Sequence, residues 1–198
     1  MYDTARLGKE HGLKSVMISN GYIQEKPLTE LCQYLSAVKI DLKGFTEKFY
    51  QETCTGELKP VLNTLTTLKK IGIWFEIVVL VIPTLNDSAK EFQEMCLWIR
   101  ENLGPDVPVH FTRFHPTYKI KNLPPTPVKT LEMARKVALD TGLHFPYVGN
   151  VPGHEGENTY CPSCHNIVIR RAGFSIRENH LKNDTCKGCG QPIPGIWA

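Results

Sequence analysis

Four cysteines near the C-terminal end of the sequence are the residues with the clearest potential for chemistry. Cys161 and Cys164 form one C-x-x-C pair, Cys186 and Cys189 form a second, and the 21 residues 165–185 separate them. Each C-x-x-C turn presents two thiolates on one tight turn, so two such turns supply a tetrahedral four-sulfur site. The spacing therefore predicts a metal site, with Zn²⁺ as the expected ion and a rubredoxin-like iron as the alternative.

The segment around these cysteines is too small to fold on apolar burial alone. Domains of about 40 residues usually need a metal or disulfides, and residues 159–198 are of that size. We expect the metal to be structural, because a closed four-cysteine site leaves no open position for catalysis. Cys161-Pro-Ser-Cys-His165 also matches the haem attachment pattern C-x-x-C-H. Haem is disfavoured because the first 20 residues show no export signal and the second pair would have no role.

Polar side chains placed directly after predicted strands form a second group. They are Ser19, Asn20, Asp41, Lys43, Asn86, Asp87 and His115. Ligands of parallel α/β folds bind at the carboxyl ends of strands, so these side chains could surround a small polar ligand. Asp41 and Lys43 are two residues apart and would face the same side of a strand, which suits a joint grip on a zwitterion. The alternative is ordinary turn chemistry, with Asp41 and Lys43 as a surface ion pair.

Alternating apolar segments supply the elements that must position these side chains. The chain has 198 residues and 41% hydrophobic composition, enough for a core but short for an eight-repeat barrel of about 250 residues. Apolar runs predict five strands, with helical segments between them. The predicted strands cover residues 14–18, 37–41, 73–82, 107–112 and 143–148. This alternation favours an α/β fold with a parallel sheet or a barrel-like arc of one.

Composition divides the chain into two parts and a linker. Residues 1–148 carry the α/β alternation, residues 149–158 are rich in glycine and predict a linker, and residues 159–198 carry the cysteine pairs. Within the last part, Ile167–Ile176 alternates around an Ala-Gly centre and predicts a hairpin.

Composition also bears on partners and location. The longest apolar run, Ile77–Ile82, is far shorter than the roughly 20 residues that span a bilayer, so we expect no membrane span. The net charge of +3 and pI near 8.4 are mild, and basic residues form no block, which argues against nucleic acid as a partner. Paired cysteines without a leader sequence predict a cytoplasmic protein.

Several segments resemble radical S-adenosylmethionine (SAM) enzymes of the pyruvate formate-lyase activating type. The segments are Ile18–Gly21, Val38–Lys43, Leu80–Asp87 and His110–Pro116. Two further segments, Tyr147–Cys164 and Cys186–Trp197, resemble the radical SAM enzyme of the AmmeMemoRadiSam system. The resemblance covers essentially the whole chain, and the C-terminal segments are its most specific part.

The resemblance implies a partial (β/α)6 barrel that holds SAM and a [4Fe–4S] cluster at the strand ends. It implies reductive cleavage of SAM to a 5′-deoxyadenosyl radical, which takes a hydrogen atom from a substrate. Asp41 matches the position that holds the SAM amino group and Lys43 the position that holds its carboxylate. His115 matches a histidine near the adenosyl moiety, and Ser19 and Asn20 match a polar turn near the ribose.

The resemblance also implies partners. Activating enzymes act on a glycine of a partner protein, so a protein substrate is expected. The AmmeMemoRadiSam system implies AMMECR- and Memo-type proteins as associates. A reductant such as ferredoxin or flavodoxin is expected as the electron donor.

The sequence departs from the family pattern in its cysteines. The family holds its cluster on a C-x3-C-x2-C segment, and the 198 residues contain no such spacing and no matching Gly-Gly-Glu segment. We therefore expect the chain to be the C-terminal portion of such an enzyme, inactive alone, with an exposed strand edge at Lys14–Ile18. The alternative is a non-catalytic module in which a zinc ribbon on a truncated barrel binds a partner.

Overall fold

The computed structural model describes residues 1–197, which form six helices and ten strands. The helices are α1 (Tyr2–Glu10), α2 (Glu25–Cys32), α3 (Glu47–Phe49), α4 (Leu58–Ile71), α5 (Ala89–Asn102) and α6 (Val128–Asp140). The strands are β1 (Val16–Ser19), β2 (Ala37–Asp41), β3 (Trp74–Val81), β4 (Val109–Arg113), β5 (Pro146–Gly149), β6 (Thr159–Tyr160), β7 (Ile167–Ala172), β8 (Ser175–Asn179), β9 (Leu181–Lys182) and β10 (Thr185–Cys186). A π-helical turn covers Tyr50–Cys54 and a 3₁₀ turn covers Glu155–Glu157.

The first five strands form one sheet in chain order, β1-β2-β3-β4-β5. The pairings β1–β2, β2–β3 and β4–β5 are parallel, and helical connections join successive strands. The predicted α/β fold with five parallel strands is therefore confirmed. The chain divides into two compact units, Met1–Val79 and Leu80–Ala198, and the boundary falls inside β3.

In the first unit, the sheet is apolar on one face and mixed on the other. Met17, Val38 and Ile77 are at most 5% exposed, while their strand neighbours are less buried. This alternation follows from the two-residue period of a strand. Helices α2 and α4 pack together, and α4 ends at Gly72, whose positive φ of 77° suits a left-handed cap.

In the second unit, helix α6 packs against α5, β4 and β5. The side chain of Ser88 accepts a hydrogen bond from the Glu91 amide and starts α5, as an N-cap residue does. Phe92 of α5 meets Phe111 of β4 edge to face, with ring centroids 5.6 Å apart, and both rings are fully buried. These contacts fix β4, the strand that leads to His115.

The C-terminal residues form two small antiparallel sheets, β6-β7-β8 and β9-β10. The β7–β8 pair is the predicted hairpin, with a register shift between Arg170 and Arg171. A small core joins these strands to the end of the parallel sheet: it contains Phe145, Cys161, Val168, Ile169, Leu181, Cys186 and Ile193. The cysteine-containing segment is thus packed onto β5, within one unit.

Among residues 1–197, no helix is both long and apolar enough to cross a membrane. The division into residues 1–148, 149–158 and 159–198 stays a prediction.

Candidate functional site

The four cysteines of the two C-x-x-C pairs come together in space. All four Sγ atoms lie within 4.8 Å of one another. Cys161 Sγ is 3.5 Å from Cys189 Sγ, and Cys164 Sγ is 3.8 Å from Cys186 Sγ. Four sulfurs at about 2.3 Å from one tetrahedral Zn²⁺ would be roughly 3.8 Å apart, so the arrangement fits a single metal ion.

Backbone hydrogen bonds shape both cysteine turns. The His165 amide donates to the Cys161 carbonyl and the Gly190 amide donates to the Cys186 carbonyl, at 2.9 and 2.8 Å. Gly188 lies tightly in the second turn, where an added Cβ would be 3.1 Å from Asn166 Nδ2. Main-chain hydrogen bonds therefore hold both turns closed.

The thiols sit in different electrostatic environments. Backbone amides of Cys189 and Gly188 lower the pKa of Cys186 to about 7. The backbone amide of Asn166 favours the Cys164 thiolate, but burial and hydrogen bonds with the other three thiols raise the pKa of Cys164 to about 11. Cys164 and Cys186 therefore differ in acidity, and a divalent metal bound by the quartet would displace thiol protons.

The remaining cysteines do not assemble. Cys32 and Cys96 are buried in helices α2 and α5, and Cys54 ends the π-helical turn. Burial raises the pKa of all three thiols, to about 12 for Cys96. Among residues 1–197, the C-terminal quartet is the one group of three or more His, Cys, Asp or Glu side chains that could hold a metal. The residues present therefore do not fit a [4Fe–4S] cluster outside the quartet.

Asp41 and Lys43 form the ion pair that their spacing suggested. Lys43 Nζ donates to Asp41 Oδ2 at 2.8 Å, and the two side chains are 40% and 33% exposed. Leu42 between them is fully buried, and its amide donates to Val78 O at 2.9 Å, so the backbone here is held by β3. A carboxylate and an ammonium thus lie side by side at the carboxyl end of β2, accessible to a ligand.

A buried tyrosine supports this pair and had no signal in the sequence. The Lys43 amide donates to the Tyr50 hydroxyl at 3.1 Å, and Tyr50 is 3% exposed. Burial raises the pKa of Tyr50, so the phenol stays protonated. Tyr50 begins the π-helical turn that ends before Thr55, a residue with a positive φ of 55°. Such turns often occur at functional sites.

Ser19 and Asn20 serve the turn that follows β1. Ser19 Oγ accepts from the Gly21 amide at 3.1 Å, and Asn20 Oδ1 accepts from the Tyr22 amide at 3.0 Å. Thr64 of α4 fixes the same turn by donating to Gly21 O at 2.6 Å. These contacts are turn chemistry, and a role toward a ribose stays a prediction.

Two other strand ends lie in the second unit. Asn86 is buried, accepts from the Ile82 amide at 2.6 Å and donates to Leu80 O at 2.9 Å, so it is a structural residue of its loop. His115 follows β4 and is exposed. Buried Thr126 fixes the strand end before it, accepting from the Phe114 amide at 2.9 Å and donating to Val81 O at 2.5 Å.

Sequence comparison finds a curated relative of this chain. No protein-family model matches the chain. The chain is 46% identical over 195 residues to the uncharacterized protein MJ0808 of Methanocaldococcus jannaschii, covering 98% of this chain and 58% of that protein. It therefore spans somewhat over half the length of the curated relative that it matches.

Three solved structures share the fold at low sequence identity. A domain of a pyruvate-formate lyase-activating enzyme from Bacteroides vulgatus matches 75% of this chain and 89% of its own, with a TM-score of 0.67 and 13% identity. A radical SAM methyltransferase from Sphaerobacter thermophilus matches 74% of this chain and 46% of its own, with a TM-score of 0.58 and 10% identity. Streptococcus suis SuiB bound to S-adenosylmethionine matches 70% of this chain and 32% of its own, with a TM-score of 0.56 and 11% identity.

These similarities define a fold. The five parallel strands match the partial barrel seen in these radical SAM structures, and the four-cysteine segment that could bind zinc follows them. The predicted fold class is confirmed. The finer resemblance to the AmmeMemoRadiSam system stays a prediction.

Proposed function

We propose that this chain carries the SAM-binding part of a radical SAM enzyme, with Asp41 and Lys43 holding the methionine end of SAM. The observation that carries the proposal is their ion pair at the carboxyl end of β2 in a sheet of this fold. The methionine end of SAM is a zwitterion. Asp41 would accept from its ammonium, and Lys43 would donate to its carboxylate.

The pair suits an exchange of partners on binding. The two charged groups are 2.8 Å apart and neutralise each other. The Lys43 side chain is 40% exposed and the Asp41 side chain is 33% exposed. A zwitterion replaces one intramolecular ion pair with two charge-assisted hydrogen-bond sets, without leaving a charge unpaired. The Lys43 amide donates to the Tyr50 hydroxyl, and this hydrogen bond fixes the backbone that carries the Lys43 ammonium.

Radical chemistry needs more than these residues supply. In such an enzyme, one electron from a reductant such as ferredoxin or flavodoxin would cleave SAM to methionine and a 5′-deoxyadenosyl radical, which then takes a hydrogen atom from the substrate. Cys32, Cys54 and Cys96 do not form a cluster site. We propose that the cluster cysteines lie in another segment and that these 198 residues alone do not cleave SAM.

We propose that the C-terminal quartet holds one structural Zn²⁺. The sulfur separations of 3.5 and 3.8 Å support a single ion rather than a cluster, which spreads its thiolates over several irons. Mononuclear iron would fit the same sulfurs, so metal analysis of the isolated protein distinguishes the two.

The remaining assignments rest on the resemblance. We propose His115 of the second unit as a contact of the adenosyl moiety, and Ser19 and Asn20 as contacts of the ribose. A protein substrate, AMMECR- or Memo-type associates and a cytoplasmic location are proposals of the same kind.

Equilibrium dialysis against labelled SAM tests the central assignment. The metal-loaded chain should bind SAM saturably, and Asp41→Asn and Lys43→Gln should each weaken binding by about tenfold or more, because each removes a charged partner. Arg6→Gln is the matched control, since it breaks the exposed Arg6–Glu10 ion pair of α1 at 2.7 Å. Equal affinities for all four proteins would contradict the assignment, and an absence of SAM binding would favour the non-catalytic module.

A second measurement separates binding from cleavage. After incubation with iron, sulfide and a strong reductant, the chain should form no 5′-deoxyadenosine from SAM. Formation of 5′-deoxyadenosine would show that these residues do hold a working cluster. The intact mass of the native protein, isolated by immunoprecipitation, should exceed 22.4 kDa and include a C-x3-C-x2-C peptide.

A further inference from the structure

One face of β4 and β5 carries an aromatic pair, and Tyr147 of this pair packs against the small C-terminal core. Val109, Phe111 and Val148 are buried on the other face. His110 lies directly opposite Tyr147 in the parallel register, and their rings stack with centroids 4.9 Å apart at an angle of 18°. Both residues are half-buried, so this face is a partly enclosed surface within the second unit.

Arg171 of the β7 hairpin strand reaches this surface. Its guanidinium carbon lies 5.7 Å from the centroid of the Tyr147 ring. Its Nη1 donates to Thr159 Oγ1 at 2.6 Å and to Glu157 O at 3.1 Å. The Tyr147 hydroxyl is 2.9 Å from the same Thr159 Oγ1, so the guanidinium, the hydroxyl and the ring form one fixed group.

The charge of Arg171 has no carboxylate partner among residues 1–197. The nearby Glu157 carboxylate is engaged elsewhere, since its Oε2 accepts from the amides of Gly153 and Gly173 at 3.0 and 3.2 Å. The adjacent Arg170, by contrast, pairs with Glu178 at 3.0 Å. Partial burial of a cation is costly unless an anion accompanies it.

We propose that Arg171, backed by the Tyr147 ring that stacks on His110, binds an oxyanion of a small-molecule ligand, either a carboxylate or a phosphate. A guanidinium presents a planar fork that matches two oxygens of such a group. Within residues 1–197 only Nη1 of this guanidinium has a hydrogen-bond partner, which leaves the other edge of the fork for the ligand. The four-cysteine segment then contributes a ligand-binding residue as well as a fold. The proposed site uses residues of the second unit only and does not rest on the assignment of SAM binding to Asp41 and Lys43.

The plain alternative is that Arg171 only braces the hairpin against β5. A brace and an anion site differ in their response to added anions. A brace shows no saturable response, whereas a site shows one that depends on the guanidinium.

Nuclear magnetic resonance of the metal-loaded full chain, labelled with ¹⁵N-arginine, tests the proposal. Inorganic phosphate and acetate are titrated separately against chloride at constant ionic strength, and the Nε–Hε signal of Arg171 is followed. A saturable shift with phosphate, with acetate or with both supports the site and assigns its preference. A linear, non-saturating drift with both ions overturns it.

Two variants localise the effect. Arg171→Gln should abolish the response or weaken the apparent affinity by at least about tenfold, read on the His110 ring signals. Arg177→Gln, on the exposed strand β8 of the same hairpin, is the matched control and should retain the wild-type affinity. Equal losses in both variants would indicate nonspecific charge and overturn the site. Because the wild-type titration needs no variant to fold, the proposal stays testable if Arg171→Gln is unstable.

Discussion

The Tyr147 hydroxyl lies 2.9 Å from Thr159 Oγ1, and this contact joins the last strand of the parallel sheet to the first strand of the cysteine-containing segment. Phe145, directly before β5, is 4% exposed and belongs to the same small core as Cys161 and Cys186. The metal-ligand candidates and β5 are therefore parts of one packed unit. Loss of the metal should therefore destabilise β5 as well as the cysteine turns.

Replacement of Cys161 by Ser should release the metal and loosen β5. A structural four-cysteine site couples metal binding to folding, so the small core loses its staple. We expect metal content to fall from about one equivalent to none. Amide hydrogen exchange of residues 146–149 should become faster, while exchange in β2 stays unchanged.

Cys54→Ser is the control for that variant, because Cys54 lies outside the quartet. It should keep both the metal and the slow exchange of β5. If Cys161→Ser lost its metal without any change in β5, the shared core would not transmit the loss.

Local patterns predicted the elements best where a strand has regular burial. Residues 37–41 were predicted as a strand and form β2, because buried Val38 and Ile40 alternate with less buried neighbours. The strand predicted over 143–148 begins later, at Pro146. Leu143 is buried but lies just after α6, and its amide donates to Ala138 O in that helix at 3.0 Å. An apolar residue that follows the glycine at the end of a helix often packs back on that helix. In the sequence, such a residue is easily taken for the start of a strand.

In the candidate sites, too, the sequence predicted the local contacts and missed those that the tertiary fold creates. The C-x-x-C spacing predicted the quartet because both pairs are local in sequence, and Asp41 with Lys43 were adjacent enough to be paired. Tyr50 and Thr126 could not be found that way. Thr126 donates to Val81 O across 45 residues, a contact that only the tertiary fold creates.

Replacement of Tyr50 by Phe should weaken both the fold and SAM binding. The variant leaves the Lys43 amide without the hydroxyl that accepts its hydrogen bond at 3.1 Å. We expect the free energy of unfolding to fall by about 1 kcal/mol, because a partly buried amide loses the hydrogen bond that Tyr50 accepts. Urea titration measures the stability, and dialysis against SAM measures the binding.

Tyr22→Phe supplies the comparison, since Tyr22 is 52% exposed. Its stability and its SAM affinity should match those of the wild type. A Tyr50→Phe protein with wild-type SAM affinity would show that the Lys43 backbone needs no support from this residue.

Replacement of Thr126 by Val should destabilise the end of β4. The Thr126 hydroxyl is fully buried and joins the Phe114 amide to Val81 O. Valine fills the same volume but leaves both backbone groups unsatisfied, at an expected cost of about 1–3 kcal/mol each. The urea midpoint should fall clearly. Thr117→Val in the same loop should leave it unchanged, because Thr117 is exposed and its hydroxyl makes only a long 3.5 Å contact.

Replacement of Ile18 by Lys should reduce self-association of the chain. Among residues 1–197, β1 pairs with β2 alone, and Val16 and Ile18 are 60% and 68% exposed. An apolar strand edge of this kind can pair with another copy, and a charged side chain on the edge opposes that pairing. Sedimentation velocity over a range of concentrations should show less oligomer for Ile18→Lys, with unfolding free energy within about 0.5 kcal/mol of the wild type. Leu13→Lys adds the same charge at a site that is 66% exposed but outside the strand, and it should not change association. An equal decrease in both variants would attribute the effect to net charge rather than to the edge of β1.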